Sequence, residues 1–166
     1  LLKQMITVSS NEAANGLLSR IGNGDGKAAI ATVTATAQRY GFTSSEELRT
    51  LTGMASGNAV ENWTSTRDCG SFLSQVYAGT LVSKNASERM MQLLLGQTRR
   101  TKIPAGVPSG VKVANKTGEL AAVQNDVAIV FGTHPYVLAV MSSDISSAVA
   151  PSQITELSRA VWDAAQ

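Results

Sequence analysis

Two short clusters of polar side chains stand far apart in this sequence. One is Ser9-Ser10-Asn11. The other is Lys116-Thr117-Gly118, set in the stretch Gly110-Val-Lys-Val-Ala-Asn-Lys-Thr-Gly-Glu119. The first offers hydroxyls and a carboxamide. The second offers an ammonium and a hydroxyl beside a glycine, whose missing side chain lets another molecule lie against the strand backbone. Hydroxyl and ammonium groups are the types that pass protons and hold anions. Taken singly, they read as a loop serine, a capping asparagine and an exposed strand lysine. Their order and surroundings are what could make them a site.

Other reactive residues point to less. Cys69 is the one cysteine and lies in an apolar-periodic stretch, so it reads as a small buried hydrophobe. His134, the one histidine, sits in the turn-like Gly132-Thr-His-Pro-Tyr136. One histidine and one cysteine do not make a zinc site. Gly22-Asn-Gly-Asp-Gly26 is a turn without the carboxylate ladder of a calcium loop. Arg99-Arg100-Thr-Lys102 has no interleaved aromatics and reads as a solvated loop. No metal and no cofactor are implied. Ser109-Gly-Val-Lys112 has Ser-x-x-Lys spacing, but it follows Pro108 and leads into a strand. Residues three apart on a strand point to opposite faces, so this pair cannot share a cleft.

The positioning elements follow from periodicity. Residues 1–105 read as a mainly helical region, and residues 106–166 as antiparallel strands with a closing helix. Leu1–Thr7 ends a helix before Ser9. Ala13, Ala14, Leu17, Leu18 and Ile21 form a helical stripe. Lys27–Tyr40 is a helix with Ile30, Val33 and Ala37 on one face. Phe42–Asn62 is loop-like, holding Thr43-Ser-Ser-Glu-Glu47, which could cap a short helical turn, and Gly53-Met-Ala-Ser-Gly-Asn58. Thr64-Ser-Thr-Arg-Asp68 caps a helix to about Tyr77 that turns Phe72, Leu73 and Val76 inward. Ser87 caps another through Met90, Met91, Leu94 and Leu95, ending at Gly96. Then the period changes to that of strands: residues 111–116, Val127–Phe131 and Tyr136–Met141. Pro151–Ala165 is an amphipathic helix with Ile154, Leu157, Val161 and Ala164 on one face. The expected fold class is α+β.

Composition agrees with a soluble globular domain. Of the 166 residues, 43% are hydrophobic and 16% charged, and the net charge of +2 points to no nucleic-acid partner. No apolar run approaches the roughly 20 residues of a membrane span. Leu1-Leu-Lys-Gln-Met-Ile reads as the middle of a helix, so the chain does not start like a gene product.

Order and surroundings together resemble one family. Met5-Ile-x-x-Ser9-x-Asn11-x-Ala13-x-Asn15-x-Leu17 resembles the helix-loop-helix around the second motif of class A β-lactamases and penicillin-binding proteins. Asn62-Trp-Thr-Ser-Thr-Arg-Asp68 and Gly79-Thr-Leu-Val-Ser83 resemble the two ends of the helix after their omega loop. Thr101-Lys-Ile-Pro-Ala-Gly-Val-Pro108 and Val113-Ala-Asn-Lys-Thr-Gly-Glu119 resemble the run into their third motif. Asn125–Val130 and Pro135–Val140 resemble their last two strands. The likeness covers nearly the whole chain.

The resemblance implies roles. Lys116 would attract a substrate carboxylate and lower the proton affinity of Ser9, and Ser9 would pass a proton to the leaving nitrogen. Asn11 would donate to a substrate carbonyl and Thr117 to the carboxylate. Gly118 would leave room for substrate along the strand, and Leu120 would supply a backbone N–H of the oxyanion hole. It also implies β-lactams or D-Ala-D-Ala peptides as ligands, acyl-enzyme chemistry and a location outside the cytoplasm. Three departures stand out. Ser10 replaces the usual Asp. No Glu-x-x-Leu-Asn occurs between Tyr40 and Trp63, where the acids are Glu46, Glu47 and Glu61, so deacylation would be slow. The helix-borne Ser-x-x-Lys nucleophile is missing.

The chain therefore reads as the C-terminal portion of a β-lactamase-like serine hydrolase and part of one incomplete catalytic domain, inactive by itself. The alternative is a non-catalytic domain of the same fold with a binding or structural role in the cell envelope. The family pairs the strand matching Tyr136–Met141 with an N-terminal strand, and its nucleophile helix covers Leu17, Leu18, Phe72 and Val76. Without those pieces, one of three outcomes is expected: a bound N-terminal segment, a second copy across this edge, or a rearranged fold.

Overall fold

The computed structural model describes residues 1–51 and 61–166. The segment Gly53–Asn58, read above as loop, lies outside the described residues. Helices α1 (Leu2–Thr7), α2 (Asn11–Ile21), α3 (Gly26–Arg39), α4 (Thr66–Ala78) and α5 (Lys84–Leu95) come first. A 3-10 turn at Ile103–Gly106 leads to strands β1 (Lys112–Leu120), β2 (Val123–Phe131) and β3 (Tyr136–Val140), and α6 (Ala150–Ala165) closes the chain. The α+β expectation holds. The strands form an antiparallel sheet in the order β1-β2-β3, with Lys116 opposite Val127 and Thr117 opposite Asp126.

Short polar side chains start the helices by accepting backbone N–H groups that have no partner inside the helix. Ser10 accepts from Ala13, Asp25 from Lys27 and Ala28, Ser65 from Asp68, and Ser83 from Ala86. The last corrects the sequence reading, which gave this role to Ser87. Ser83 is extended, as a cap must be, whereas Ser87 is inside the helix, fully buried, and donates to Leu81 O at 2.9 Å. Thr43–Glu47 forms no helical turn. Ser44 N–H and Ser45 Oγ instead both donate to the buried Asp68 carboxylate at 2.8 Å, and Glu46 pairs with Trp63 through two backbone hydrogen bonds.

The sheet is covered on both faces, which is why β1 and β2 lack a simple alternation of buried and exposed residues. Ala114 and Ile129 join Phe42, Leu73, Val76, Leu81 and Leu94 beneath α4 and α5. Val113, Ala128 and Val130 meet Ile103 and Ile154 on the α6 side. The burial of Leu18 and Val76 departs from the expectation that a missing helix strips them of partners, and Phe72 packs edge-on against Phe42. An open groove of about 1700 Å³ does remain beside Leu1, Leu17, Met90 and Leu93. Cys69 is half-buried rather than buried.

Helix α6 buries a different stripe from the one expected. Ala150, Ile154 and Ser158 are buried, while Leu157 is 46% exposed and Ala164 is exposed. The reason lies in Gly106. Ser158 Oγ donates to Ile103 O at 2.9 Å, so the helix lies directly on the 3-10 turn. A Cβ on Gly106 would come within 2.4 Å of Thr155 O and 2.5 Å of Ser158 Cβ. Those atoms belong to backbone and a short side chain and cannot step aside. Gly106→Ala should therefore cost about 1–3 kcal/mol or more through forced separation of α6 from the sheet. Equal urea midpoints for wild type and variant would show that this close approach carries no weight.

Candidate active site

The site begins with two strained or buried residues held by their neighbours. Ser9 has φ +61°, a left-handed conformation that non-glycine residues seldom adopt and that surrounding bonds must enforce. Those bonds are present on both sides of it. Val8 and Ser10 N–H both donate to Gln4 O. Thr98 donates to Thr7 O through both N–H and hydroxyl, and the buried Gln97 amide donates to Ile6 O at 2.7 Å. Ser10 fills the place of the expected Asp by capping α2 and donating to Glu12 at 3.0 Å. The backbone N–H of Glu12 and the Ser10 hydroxyl hold the Glu12 carboxyl below its usual range.

This loop delivers Ser9 to β1. Lys116 Nζ donates to Ser9 Oγ at 2.6 Å and to Thr117 O at 2.5 Å. Burial depresses the Lys116 ammonium, as does the positive charge of Arg99, while Glu119 and Asp126 pull the other way. Of the residues expected to act, Ser9 and Lys116 are thus in direct contact. Asn11, the first residue of α2, is exposed two positions beyond Ser9. Thr117 is 5% exposed, and Gly118 is exposed near the open end of the strand. A Cβ on Gly118 would meet only Asn125 at 3.7 Å, an ordinary contact. Packing inside the protein therefore does not require glycine there.

The register bears on Leu120. Along an antiparallel strand the N–H and C=O of one residue point to the same side, and the side alternates. Val113 O accepts from Arg100 and Thr117 O from Lys116, so odd-numbered residues present their backbone groups to the free edge of β1. The outward N–H just past the glycine is therefore that of Glu119. Leu120 faces its partner Val123 across the two-residue turn.

Behind β1 lies a polar network that the sequence reading missed. Asn115, Thr117, Glu119 and Asp126 share the face opposite Lys116, by alternation and register. The stretch Arg99–Lys102 is no solvated loop. Lys102 is 1% exposed, with Nζ 3.0 Å from Glu119 Oε1 and 3.2 Å from Asn125 O. Arg99 pairs with the other Glu119 oxygen, and Arg100 donates to Val113 O and to the Asn115 amide oxygen. Asp126 is fully buried and accepts from Asn115 Nδ2 and Ile103 N–H, both at 3.0 Å. Three cations grouped in sequence, matched by two acids on the hairpin, were the available signal.

Other candidates are placed elsewhere. Ser109 sits in an exposed turn before β1, so the Ser109–Lys112 pair forms no site. Burial pushes the Cys69 thiol up, away from reactivity. His134 is exposed in the β2–β3 turn, where the Gln166 side chain holds its backbone. No group of three or more metal-binding side chains exists among the described residues. On the α2 side, Asn15 lies one turn after Asn11 and accepts Leu51 N–H at 2.9 Å.

A helical part and an antiparallel sheet, meeting at a Ser-x-Asn loop and a Lys-Thr-Gly strand, define the penicillin-recognising serine hydrolase fold. The sequence profile of the Beta-lactamase enzyme family matches residues 1–165, and the chain belongs to that family. Among solved structures it is similar to PBP-A, with 26% identity, a TM-score of 0.84, and coverage of 98% of this chain and 58% of that one. A β-lactamase from Sphaerobacter thermophilus DSM 20745 shares the fold at 24% identity and a TM-score of 0.88, with 98% and 61% covered. A point mutant of PBP-A, in an acyl-enzyme complex with penicillin G, is similar at 25% identity and a TM-score of 0.84, with 98% and 59% covered. The chain thus spans about three fifths of the length of these proteins. No curated protein matches it.

Asp126 gives the site a pH signature. Burial pushes its carboxyl up from 3.8 to about 6, against the opposing pull of Asn115, Ile103 N–H and Lys102. The folded state then binds more protons than the unfolded state between roughly pH 4 and 6, so stability falls as pH rises through that window and levels off above it. Asp126→Asn removes this dependence. The variant should gain about 2–3 kcal/mol relative to wild type between roughly pH 4 and pH 7.5. Parallel stability curves from chemical denaturation would refute it.

Proposed function

We propose that this chain forms the substrate-binding and proton-transfer wall of a serine hydrolase acting on β-lactams or D-Ala-D-Ala peptides through an acyl-enzyme. The observation that carries the reading is the 2.6 Å contact between Lys116 Nζ and Ser9 Oγ, made across the whole helical region. Because the lysine donates to a serine lone pair, the serine proton is left to point into the cleft. When a nucleophile attacks the carbonyl and the C–N bond breaks, the leaving nitrogen takes the Ser9 proton. Ser9 recovers one from Lys116, whose depressed proton affinity favours that step, and the nucleophile's own proton completes the balance.

The remaining roles follow the strand. Asn11 donates to a substrate carbonyl, and Lys116 receives the ligand carboxylate; Thr117, 5% exposed and on the other face of β1, is given no share in it. Gly118 stays open because a ligand, not the protein, needs the room. The outward N–H of Glu119 takes the oxyanion role expected of Leu120. The nucleophile belongs to a Ser-x-x-Lys helix outside these 166 residues. A strand of the same longer protein, or a second copy, pairs with the outer edge of β3, which has β2 alone as neighbour among the described residues. Cell-wall peptides as targets place the protein outside the cytoplasm. No helix among the described residues is long and apolar enough to cross a membrane.

Intact-mass measurement of the longer protein with penicillin G should show a slowly released acyl adduct. Ser9→Ala and Lys116→Ala should each slow its formation by about 10²–10⁴-fold, the usual contribution of a positioned proton donor. The 166-residue chain alone should show none. A stable adduct on Ser9 or Ser109 would overturn the assignment of roles. An unlabelled full-length protein would favour a non-catalytic binding domain.

A further inference from the structure

Lys102 presents a problem that the mechanism does not use. An ammonium that is 1% exposed requires an anion, since an uncompensated buried charge is strongly unfavourable. The anion is Glu119, the residue immediately after the Lys-Thr-Gly triad. Its carboxylate takes one oxygen to Lys102 at 3.0 Å and gives the other to Arg99. Burial raises the Glu119 carboxyl, but the hydrogen bond and charge of Lys102, with the charges of Arg99 and Lys116, outweigh it and hold the group below its usual range. A cation pair at the open end of β1 is thereby occupied from within.

Alternation puts Glu119 on the same face of β1 as Thr117 and opposite Lys116. The carboxylate therefore leaves the Lys116–Ser9 contact free while covering Arg99 and Lys102. We infer that Glu119 is a specificity-determining residue: it closes the Arg99–Lys102 pair to anionic groups of any ligand lying along β1. The site then accepts a ligand's single carboxylate at Lys116 and disfavours a second one near the strand end. This selectivity rests on the cleft assignment proposed above, but the closure of the cation pair can be measured without it.

The test uses the longer protein that carries this chain, with its lysines labelled with ¹³C at Cε, titrated with sodium formate at constant ionic strength. Wild type should show no saturable shift of the Lys102 signal. In E119A, formate fits the vacated space and should bind at Lys102 at least about tenfold more tightly than in wild type, with a saturable rise in melting temperature. If E119A folds poorly, formate but not sodium chloride should restore it. E119Q, which fills the space without the charge, should bind formate more weakly than E119A. Equal formate affinity at Lys102 in wild type and E119A would overturn the inference, as would an E119A protein that formate neither shifts nor restores. Failure of penicillin labelling with formate behaving as expected would sink the cleft assignment alone and leave the closure standing.

Discussion

A carboxylate with no exposed surface has to be satisfied from inside, and Asp126 meets that demand by joining three separate pieces of chain. It sits on β2, accepts from Asn115 on β1, and accepts from Ile103 N–H in the turn under α6. Asn115 in turn donates to Arg99 O, so the connection after α5 is drawn onto the back of the sheet. That same connection supplies Gln97 and Thr98 to the loop that presents Ser9. One buried acid thus helps fix both sides of the Ser9–Lys116 contact, the strand with its lysine and the loop with its serine. Networks of this kind are unforgiving: complete, they specify a single arrangement, and with a member missing they cost more than an apolar core would.

Much of this architecture was legible in the residues. The change from helical to alternating periodicity near residue 110 located the sheet, and the polar run Thr64–Asp68 located the start of α4. Ser83 and Ser87 were harder to separate, because both precede apolar residues at helical spacing. Only the buried bond from Ser87 to Leu81 O reveals that the later serine serves packing. The α6 stripe was misread for a related reason. Leu157 is the more apolar residue, but Ser158 is buried because Gly106 lets the helix come close enough to bond through a hydroxyl. Hydrophobicity alone does not register such an approach.

The candidate site was legible in its two ends and not in its support. Ser9 and Lys116 stood out because their motifs resemble a family's. Arg99, Arg100 and Lys102 looked like a hydrated run because like charges adjacent in sequence ordinarily repel one another into solvent. Their side-chain partners, Glu119 and Asn115, are more than a strand's length away in sequence and become neighbours only when the strand docks. Pairing of that sort is a property of the register, and register carries no local signature. The same holds for the backbone N–H just past the triad, where a difference of one residue between Glu119 and Leu120 is a difference between the free edge and the paired one.

That parity has a consequence for how this strand can change over time. Lys116 must look toward Ser9 while Asn115, Thr117 and Glu119 look toward Asp126 and Lys102, and the two-residue turn at Ala121-Ala122 leaves no slack between β1 and β2. Single substitutions on β1 alter one side chain at a time. An insertion or deletion of one residue would turn every side chain beyond it to the wrong face at once. Drift in β1 should therefore proceed by replacement and almost never by change of length, while the exposed turns on either side of it are free to lengthen.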